Sequence, residues 1–345
     1  MSRIEVWWPP AHRQGLAVSL GGVLRLLAAR SGSYAEIRPT RPGLLRVCAH
    51  VPGPSGTTDI TWLRVLLVAD VLARAAETRD LQALTAFVSA GEASAPAGGF
   101  ERAAGALGIH PPAVYAGVRE ARTSLGGPID VHLVSDGAGA DAGQGGLAAR
   151  VGAAQLSLDG DDDGAAAGDV PVRPGHDPLA MRLALMSVPY HQPAELTSDM
   201  VASAEEAVTG WRRQVAGWAE SPSRPVPARI AEALWSAFGD LDTVAALAVL
   251  RGLTPDGGIP AGAKFETFLA ADRVLGLDLP RDIGRTGGRL SWPQRGGGAR
   301  RAGPAGMCGG DVNAAVPPTV PTRRTRAQVG GWRQCRTARA LWAVP

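Results

Sequence analysis

Lysine is almost absent from this chain. Of its 345 residues only Lys264 is a lysine, although Lys and Arg together number 35, so chemistry that needs an ammonium point charge has one position to find it in. Cysteine is scarce as well. Cys48, Cys308 and Cys335 are too widely spaced to make the framework of a disulfide-bonded domain, which points to a reducing cytoplasm. No uninterrupted apolar run approaches the ~20 residues of a membrane-spanning helix. The mildly apolar stretch from Gly15 to Ala29 is interrupted by Arg25, preceded by Glu5 and followed by no convincing cleavage site. No membrane association is expected. A Gly-x-Ser-x-Gly elbow is missing, and no histidine and acid stand beside a nucleophile in sequence, so hydrolase-type nucleophilic catalysis finds no support.

What is present suffices for a core. Hydrophobic residues make up 45% of a length that permits two domains. Charge is unevenly spread. From Arg285 onward stand eleven arginines against one acid, Asp311, which leaves 24 basic and 31 acidic residues in the remainder. The formal net charge of +3 is thus a property of the tail, and the body is acidic. A groove that holds tRNA is lined with positive residues, so the balance argues against tRNA as a partner. From about Thr286 the text is rich in Gly, Arg, Pro and Ala without an apolar period. It reads as a basic, disordered arm or, equally, as out-of-frame translation of GC-rich DNA; neither supplies an active site.

Periodicity and punctuation organise the body. Leu44 to Val51 reads as a buried strand, with Val47, Ala49 and Val51 alternating against their neighbours. A Pro-Gly-Pro-Ser-Gly loop leads from it into an apolar helix from about Ile60 to Ala76. Strand, glycine-bearing loop and helix is the local order that seats anions on helix amides, although such a loop often only turns the chain. Leu81 to Ala90 and Ile129 to Val134 are further strands, and Phe100 to Leu107 a short helix. Strands alternating with helices imply one largely parallel sheet with crossover helices. Gly137 to Gly175 is Gly-, Ala- and Asp-rich loop text with one strand-like patch, Gln155 to Leu158. Its aspartates, Asp159, Asp161, Asp162, Asp163 and Asp169, lack the EF-hand spacing and read as solvated loop charge.

From Asp177 the chain turns helical. Asp177-Pro178 supplies an N-cap with proline at the first helical position. A second helix, capped by Thr197 or Ser198, repeats Met200, Val201, Ala204, Val208, Trp211, Val215 and Trp218 on one face. The two tryptophans, seven apart, read as core. Helices at about Pro227 to Phe238, Thr243 to Leu253 and Ala263 to Leu275 complete an expected antiparallel bundle. The resulting fold class is α/β, a Rossmann-like parallel sheet domain followed by a helical bundle. Its expected parts are an N-terminal extension (1–33), a nucleotide-binding domain (34–176), the bundle (177–284) and a basic low-complexity tail (285–345).

Several ordered fragments resemble the class I cysteinyl-tRNA synthetases, including the ligase that joins cysteine to a glucosaminyl-inositol in mycothiol synthesis. Leu158-Asp159-Gly160 and the run from Asp177-Pro178 to Tyr190-His191 frame the place where that family carries Lys-Met-Ser-Lys-Ser. Here the motif falls on Asp162, Asp163, Gly164, Ala165 and Ala166. The family's lysines neutralise charge developing on the ATP phosphates, and aspartates there set like charge against like. In LRVCAHVPGPSGTTDITW the family's His-Leu/Ile-Gly-His falls on Asp59, Ile60, Thr61 and Trp62, without either histidine. Cys48 sits where the family has a zinc-binding cysteine. The later segments that supply the remaining family ligands have no counterpart: the first is missing, and the second falls near Asp141 to Gln144 without a histidine. Cys48 is therefore expected to be a small apolar residue of a strand, with zinc not expected. GPIDVH, Gly127 to His132, resembles another family strand, with Leu133, Val134 and Ser135 replacing glycines that let a nucleotide approach the backbone. His132 reads either as a ligand contact or as a hydrogen-bonded structural histidine.

The resemblance runs from about Tyr34 to Pro280 and carries fold motifs without the chemical ones. It stops where an anticodon-binding domain would begin, a plan closer to the mycothiol ligase. It implies a catalytically inactive ligase-like protein with a binding or regulatory role. An active ATP-dependent cysteine ligase, with Arg173 or Arg64 as replacement cations, and a plain protein-interaction module are the alternatives. Candidate ligand-binding residues are Cys48, Thr57, Asp59 and His132. No catalytic or metal-ligating residue is assigned, and ATP, cysteine or a protein is the expected partner. Restoring lysines at two positions, Asp162→Lys with Ala165→Lys, is expected to leave cysteine-dependent ATP–pyrophosphate exchange at background, because the missing histidines are not repaired. Exchange above background in the double mutant would show that the loss is confined to one loop.

Overall fold

The computed structural model describes residues 22–51, 59–89, 99–110, 113–135, 145–157 and 176–285. They belong to one compact unit. In chain order the first elements are β1 (Arg25–Leu27), β2 (Tyr34–Glu36), β3 (Leu44–Val51), α1 (Thr61–Glu77), β4 (Gln82–Ser89), α2 (Gly99–Ala106), β5 (Ala113–Tyr115) and α3 (Val118–Ser124). Then follow β6 (Val131–Ser135), β7 (Leu147–Val151), β8 (Ala154–Ser157), α4 (Pro178–Met186), β9 (Ala194–Thr197), α5 (Ser198–Trp218), α6 (Ala228–Gly239), α7 (Thr243–Leu253) and α8 (Ala261–Leu275).

Five strands form one sheet in the order β5-β4-β3-β6-β7, and every pairing in it is parallel. β3 is buried along nearly its whole length, as a strand covered on both faces must be. Val47, Ala49 and Val51 face the main core, which α1 fills with Leu63, Leu66, Leu67 and Val71. Cys48 faces the other way, into a smaller cluster with Ala86, Val88, Ala121 and Ile129. The chain builds outward from β3 through β4 to β5, then crosses back to lay β6 on the other side. The gap between β3 and β6 is therefore the topological switch point, whose C-terminal rim is where ligands of open parallel sheets bind.

The expected strands at Leu44 to Val51, Leu81 to Ala90 and Ile129 to Val134 share this sheet as β3, β4 and β6, within two residues of their expected ends. The expectation of loop between Gly137 and Gly175 is corrected at β7, which precedes the anticipated patch now formed by β8. β7 reads LAARV, and its small alanines hide a strand that is recognised by branched side chains. β8 pairs in parallel with β9, and β1 with β2 form a hairpin whose Ala28 bridges β7 at Ala149. Gly152, between β7 and β8, is obligatory: a Cβ there would lie 2.2 Å from the Gln192 carbonyl oxygen.

Asp177 caps α4 through Leu179 N–H, with Pro178 at its first position, and Thr197 caps α5 through Met200 N–H. Trp211 and Trp218 both meet the ring of Phe268 on α8 edge-on, as core residues should. Lys264 on α8 is turned inward, its Nζ donating to the Thr254 carbonyl at 2.9 Å and lying 5.6 Å from the centre of the Trp218 ring. No helix among the described residues is long and apolar enough to cross a membrane.

Two charges tie the sheet to the helices beyond it. Arg182 of α4, fully buried, donates to Asp70 of α1 at 2.6 Å, and to the carbonyls of Leu275 and Leu107 at 2.6 and 3.0 Å. Arg74 adds a second bond to Asp70 at 2.8 Å. Removing the acid strands a guanidinium in the core. Asp70→Ala should lose about 3–5 kcal/mol of stability in chemical denaturation. Arg38→Ala, which breaks the exposed Arg38–Glu36 pair, should lose less than about 1 kcal/mol.

Candidate functional site

Strand register assembles one side-chain cluster at the switch point. Residues two apart on a strand share a face, so Cys48 and His50 project together from β3. The parallel ladder sets His132 of β6 directly beside Cys48. The result is a buried group of three, Cys48, His50 and His132, with one ligand-type atom of each lying within 4.8 Å of the others. His50 Nε2 and His132 Nδ1 are 2.9 Å apart, and the ring centres 5.2 Å. His132 Nε2 sits 2.9 Å from the carbonyl oxygen of Gly145. A carbonyl can only accept, so Nε2 of His132 carries a proton and donates it. In the neutral ring Nδ1 is then an acceptor, which makes His50 Nε2–H the donor between the two rings.

The electrostatics keep this cluster neutral. Burial pushes the Cys48 thiol up to about 12. Burial, with His132 alongside, brings His50 down to about 4. His132 is also held below its ordinary value by burial, with the hydrogen bond to Gly145 pulling the other way. Cys48 is a free thiol, as expected of a strand residue, but it does not stand alone. His50 escaped the sequence reading, which sought ligands where the family carries them, in later segments. Its signal was Cys-x-His inside a strand, a spacing that puts both side chains on one face. His132 is hydrogen-bonded to Gly145 and also lies against Cys48.

The second half of the site is the start of α1. Asp59 Oδ1 accepts from Thr61 N–H at 2.9 Å, and Asp59 bridges Gln155 of β8. Thr61 Oγ1 accepts from Ala154 N–H at 3.0 Å. Trp62 packs partly buried against the core. Arg64, one of two cations considered as replacements for the family's lysines, is 1% exposed. Its two terminal nitrogens donate to the carbonyls of Gly152, Ala153 and Gln192, at 3.2, 3.2 and 2.6 Å, and of Val188 and Pro189, at 3.4 and 2.9 Å. Burial lowers its pKa to about 10. Thr57, Arg173 and the positions Asp162, Asp163, Gly164, Ala165 and Ala166 lie outside the described residues. The structure thus brings Cys48 and His132 together, adds His50, and places Asp59 at the first turn of α1.

No family model matches the chain. Over 113 residues it is 37% identical to the L-cysteine:1D-myo-inositol 2-amino-2-deoxy-alpha-D-glucopyranoside ligase of Cellulomonas flavigena, covering 31% of this chain and 26% of that protein. The ligase of the same name from Streptomyces griseus is 34% identical over 112 residues, 31% of this chain and 26% of that protein. The cysteine–tRNA ligase of Paracoccus denitrificans is 34% identical over 104 residues, 30% of this chain and 20% of that protein. The matches span about a quarter of the length of these curated relatives. They support a relation to class I ligases of the cysteinyl-tRNA synthetase kind.

The buried histidines give a pH signature. His50 has a folded value below its unfolded one, so the unfolded chain binds the proton first as pH falls. The stability that neutral His50 contributes is complete above pH 6.5 and is lost on acidification from 6.5 towards 4. This amounts to up to about 3 kcal/mol. His50→Gln should flatten that part of the curve of unfolding free energy against pH; an unchanged slope would show that His50 does not titrate this way.

Proposed function

We propose that this chain is a ligase-like protein that binds a small molecule, ATP or cysteine, or a protein partner, and does not form an adenylate. In this reading it serves a binding or regulatory role in a reducing cytoplasm, without tRNA. The helices from α4 to α8 are taken as the bundle that the resemblance to cysteine ligases implies.

The observation that carries the reading is the occupied start of α1. Phosphate is seated at a helix N-terminus by unpaired amides, the positive end of the helix dipole and nearby cations. Here the Asp59 carboxylate accepts the Thr61 amide and brings negative charge to that spot. The nearby guanidinium of Arg64 is engaged by backbone carbonyls inside the protein. A triphosphate would meet repulsion where adenylate formation needs compensation of growing negative charge. The sequence departs from the family in the same sense at Asp162 and Asp163. The partial identity to cysteine ligases supports the scaffold, and these substitutions support its silence.

Purified full-length chain should show no cysteine-dependent ATP–pyrophosphate exchange above a no-enzyme control. Isothermal titration with a non-hydrolysable cysteinyl-adenylate analogue should separate a retained small-molecule site from a purely protein-directed role. Robust exchange would overturn the proposal and return the chain to the active ligases.

A further inference from the structure

We propose that the groove between α6 and the β1–β2 hairpin binds a small organic cation with a guanidinium head and an apolar body. The groove shares no residue with the cluster at the switch point, and the proposal does not rest on the ligase-like reading.

The space encloses about 730 Å³, within the range of pockets that hold small ligands. One wall is a stripe of α6: Ala228, Glu232, Trp235, Ser236 and Gly239 recur at helical spacing and so share a face. The other wall is the chain at Gly22, Val23 and Arg25, with Glu36 of β2. The hairpin register sets Glu36 opposite Arg25, so the two side chains leave the hairpin on one face. Gly239 lets the walls meet at one end, since a Cβ there would lie 3.2 Å from the Val23 carbonyl oxygen. Trp235 is half-buried, its ring braced against Phe238 with 5.7 Å between centres. Indole is the aromatic face that attracts a cation most strongly, and a guanidinium can stack on it flat while its N–H groups stay free for acceptors.

Charge selects the cation. Three carboxylates line the groove, those of Glu36, Glu232 and Asp240. Asp240 is committed to Arg25, whose Nε and Nη2 donate to its two oxygens at 2.6 and 2.7 Å. Glu36 accepts from Arg38 at 3.1 Å, but the Arg38 side chain is 81% exposed, and a pair so open to water is weak. Glu232, one turn before Trp235, makes no ion pair among the described residues. The other nearby cation, Arg79, is turned to the backbone and donates to the carbonyls of Gly22, Ala75 and Trp235 at 2.8, 2.9 and 3.0 Å. The fixed cations are thus already matched, and Glu232 is not. The carbonyl end of α6, at Gly239, adds partial negative charge. A monocation completes this balance, whereas an anion would meet Glu36 and Glu232 with no free cation to offset them.

The test is isothermal titration of the full chain with benzylguanidinium, with benzylurea, its neutral isostere, and with the tripeptide acetyl-Gly-Arg-Gly-amide. Benzylguanidinium should bind one to one and weaken as NaCl rises, and benzylurea should bind roughly tenfold more weakly or not at all. Glu232→Gln should lower the affinity for benzylguanidinium about tenfold, and Trp235→Leu by about as much. Glu101→Gln, at an exposed glutamate of α2 outside the groove, should change nothing. Thermal melts establish that each variant is folded. If Trp235→Leu, which removes a ring packed against the core, does not melt cooperatively, the exposed Glu232→Gln decides alone. Equal affinity for benzylurea, binding indifferent to Glu232→Gln, or no saturable binding by folded wild type would each overturn the proposal. Tighter binding of the tripeptide would overturn the assignment to a free solute and give the groove to an arginine side chain of a partner protein.

Discussion

The guanidinium of Arg182 lies where α1, α4 and the end of α8 meet, entirely out of water. A charge in that position has no stable alternative to being paired and fully hydrogen-bonded, and each of its three nitrogens has a partner: Leu275 O, Leu107 O and Asp70. Gly276, at φ +63°, follows α8 and passes so close that a Cβ would lie 2.9 Å from the guanidinium. Because Asp70 belongs to α1 and Arg182 to α4, the sheet's central helix cannot shift without the helical half moving with it. A second buried arginine, Arg212 of α5, repeats the device with Asp177 and the carbonyls of Leu277 and Asp278.

That fixed α1 has consequences at both ends of the candidate site. Its first turn is held by Asp59, Thr61 and Arg64, which between them engage β8 and the backbone just before β9. Its body seals one face of β3, so the alternate residues of that strand, Cys48 and His50, project to the opposite face towards α3. The strand therefore has one side committed to packing and another that carries titratable groups. The parallel pairing of β3 with β6 brings the third member, His132, into the same layer.

The sheet was readable from the chain because β3, β4 and β6 are apolar runs bounded by turn residues, and burial on both faces leaves that pattern. β5 and β9 are only three and four residues long, too short for periodicity to register. β7 is alanine-rich, so its pairing follows from the neighbouring β6 and not from its own composition. The candidate site was half readable. Cys48, Asp59 and His132 were found through their alignment with a known family's motifs. His50 was not, because family ligands were sought far along the sequence, whereas the relevant neighbour was two residues away on the same pleat. Arg64 reads in the sequence as a replacement cation for the family's lysines, but its burial and its carbonyl partners are long-range facts that only the fold supplies.

The scarcity of lysine acquires a different meaning once Lys264 is placed. Its ammonium lies 2.9 Å from the Thr254 carbonyl oxygen and beside Trp218, and the residue is 8% exposed. Since the chain has no other lysine, the folded protein offers the solvent hardly any side-chain amine. Acylating metabolites, lysine-directed conjugating enzymes and amine-reactive cross-linkers all require a nucleophilic, accessible ε-amino group, and here they would meet a surface of arginines. Whatever controls the lifetime or location of this protein has to act through some other chemical handle.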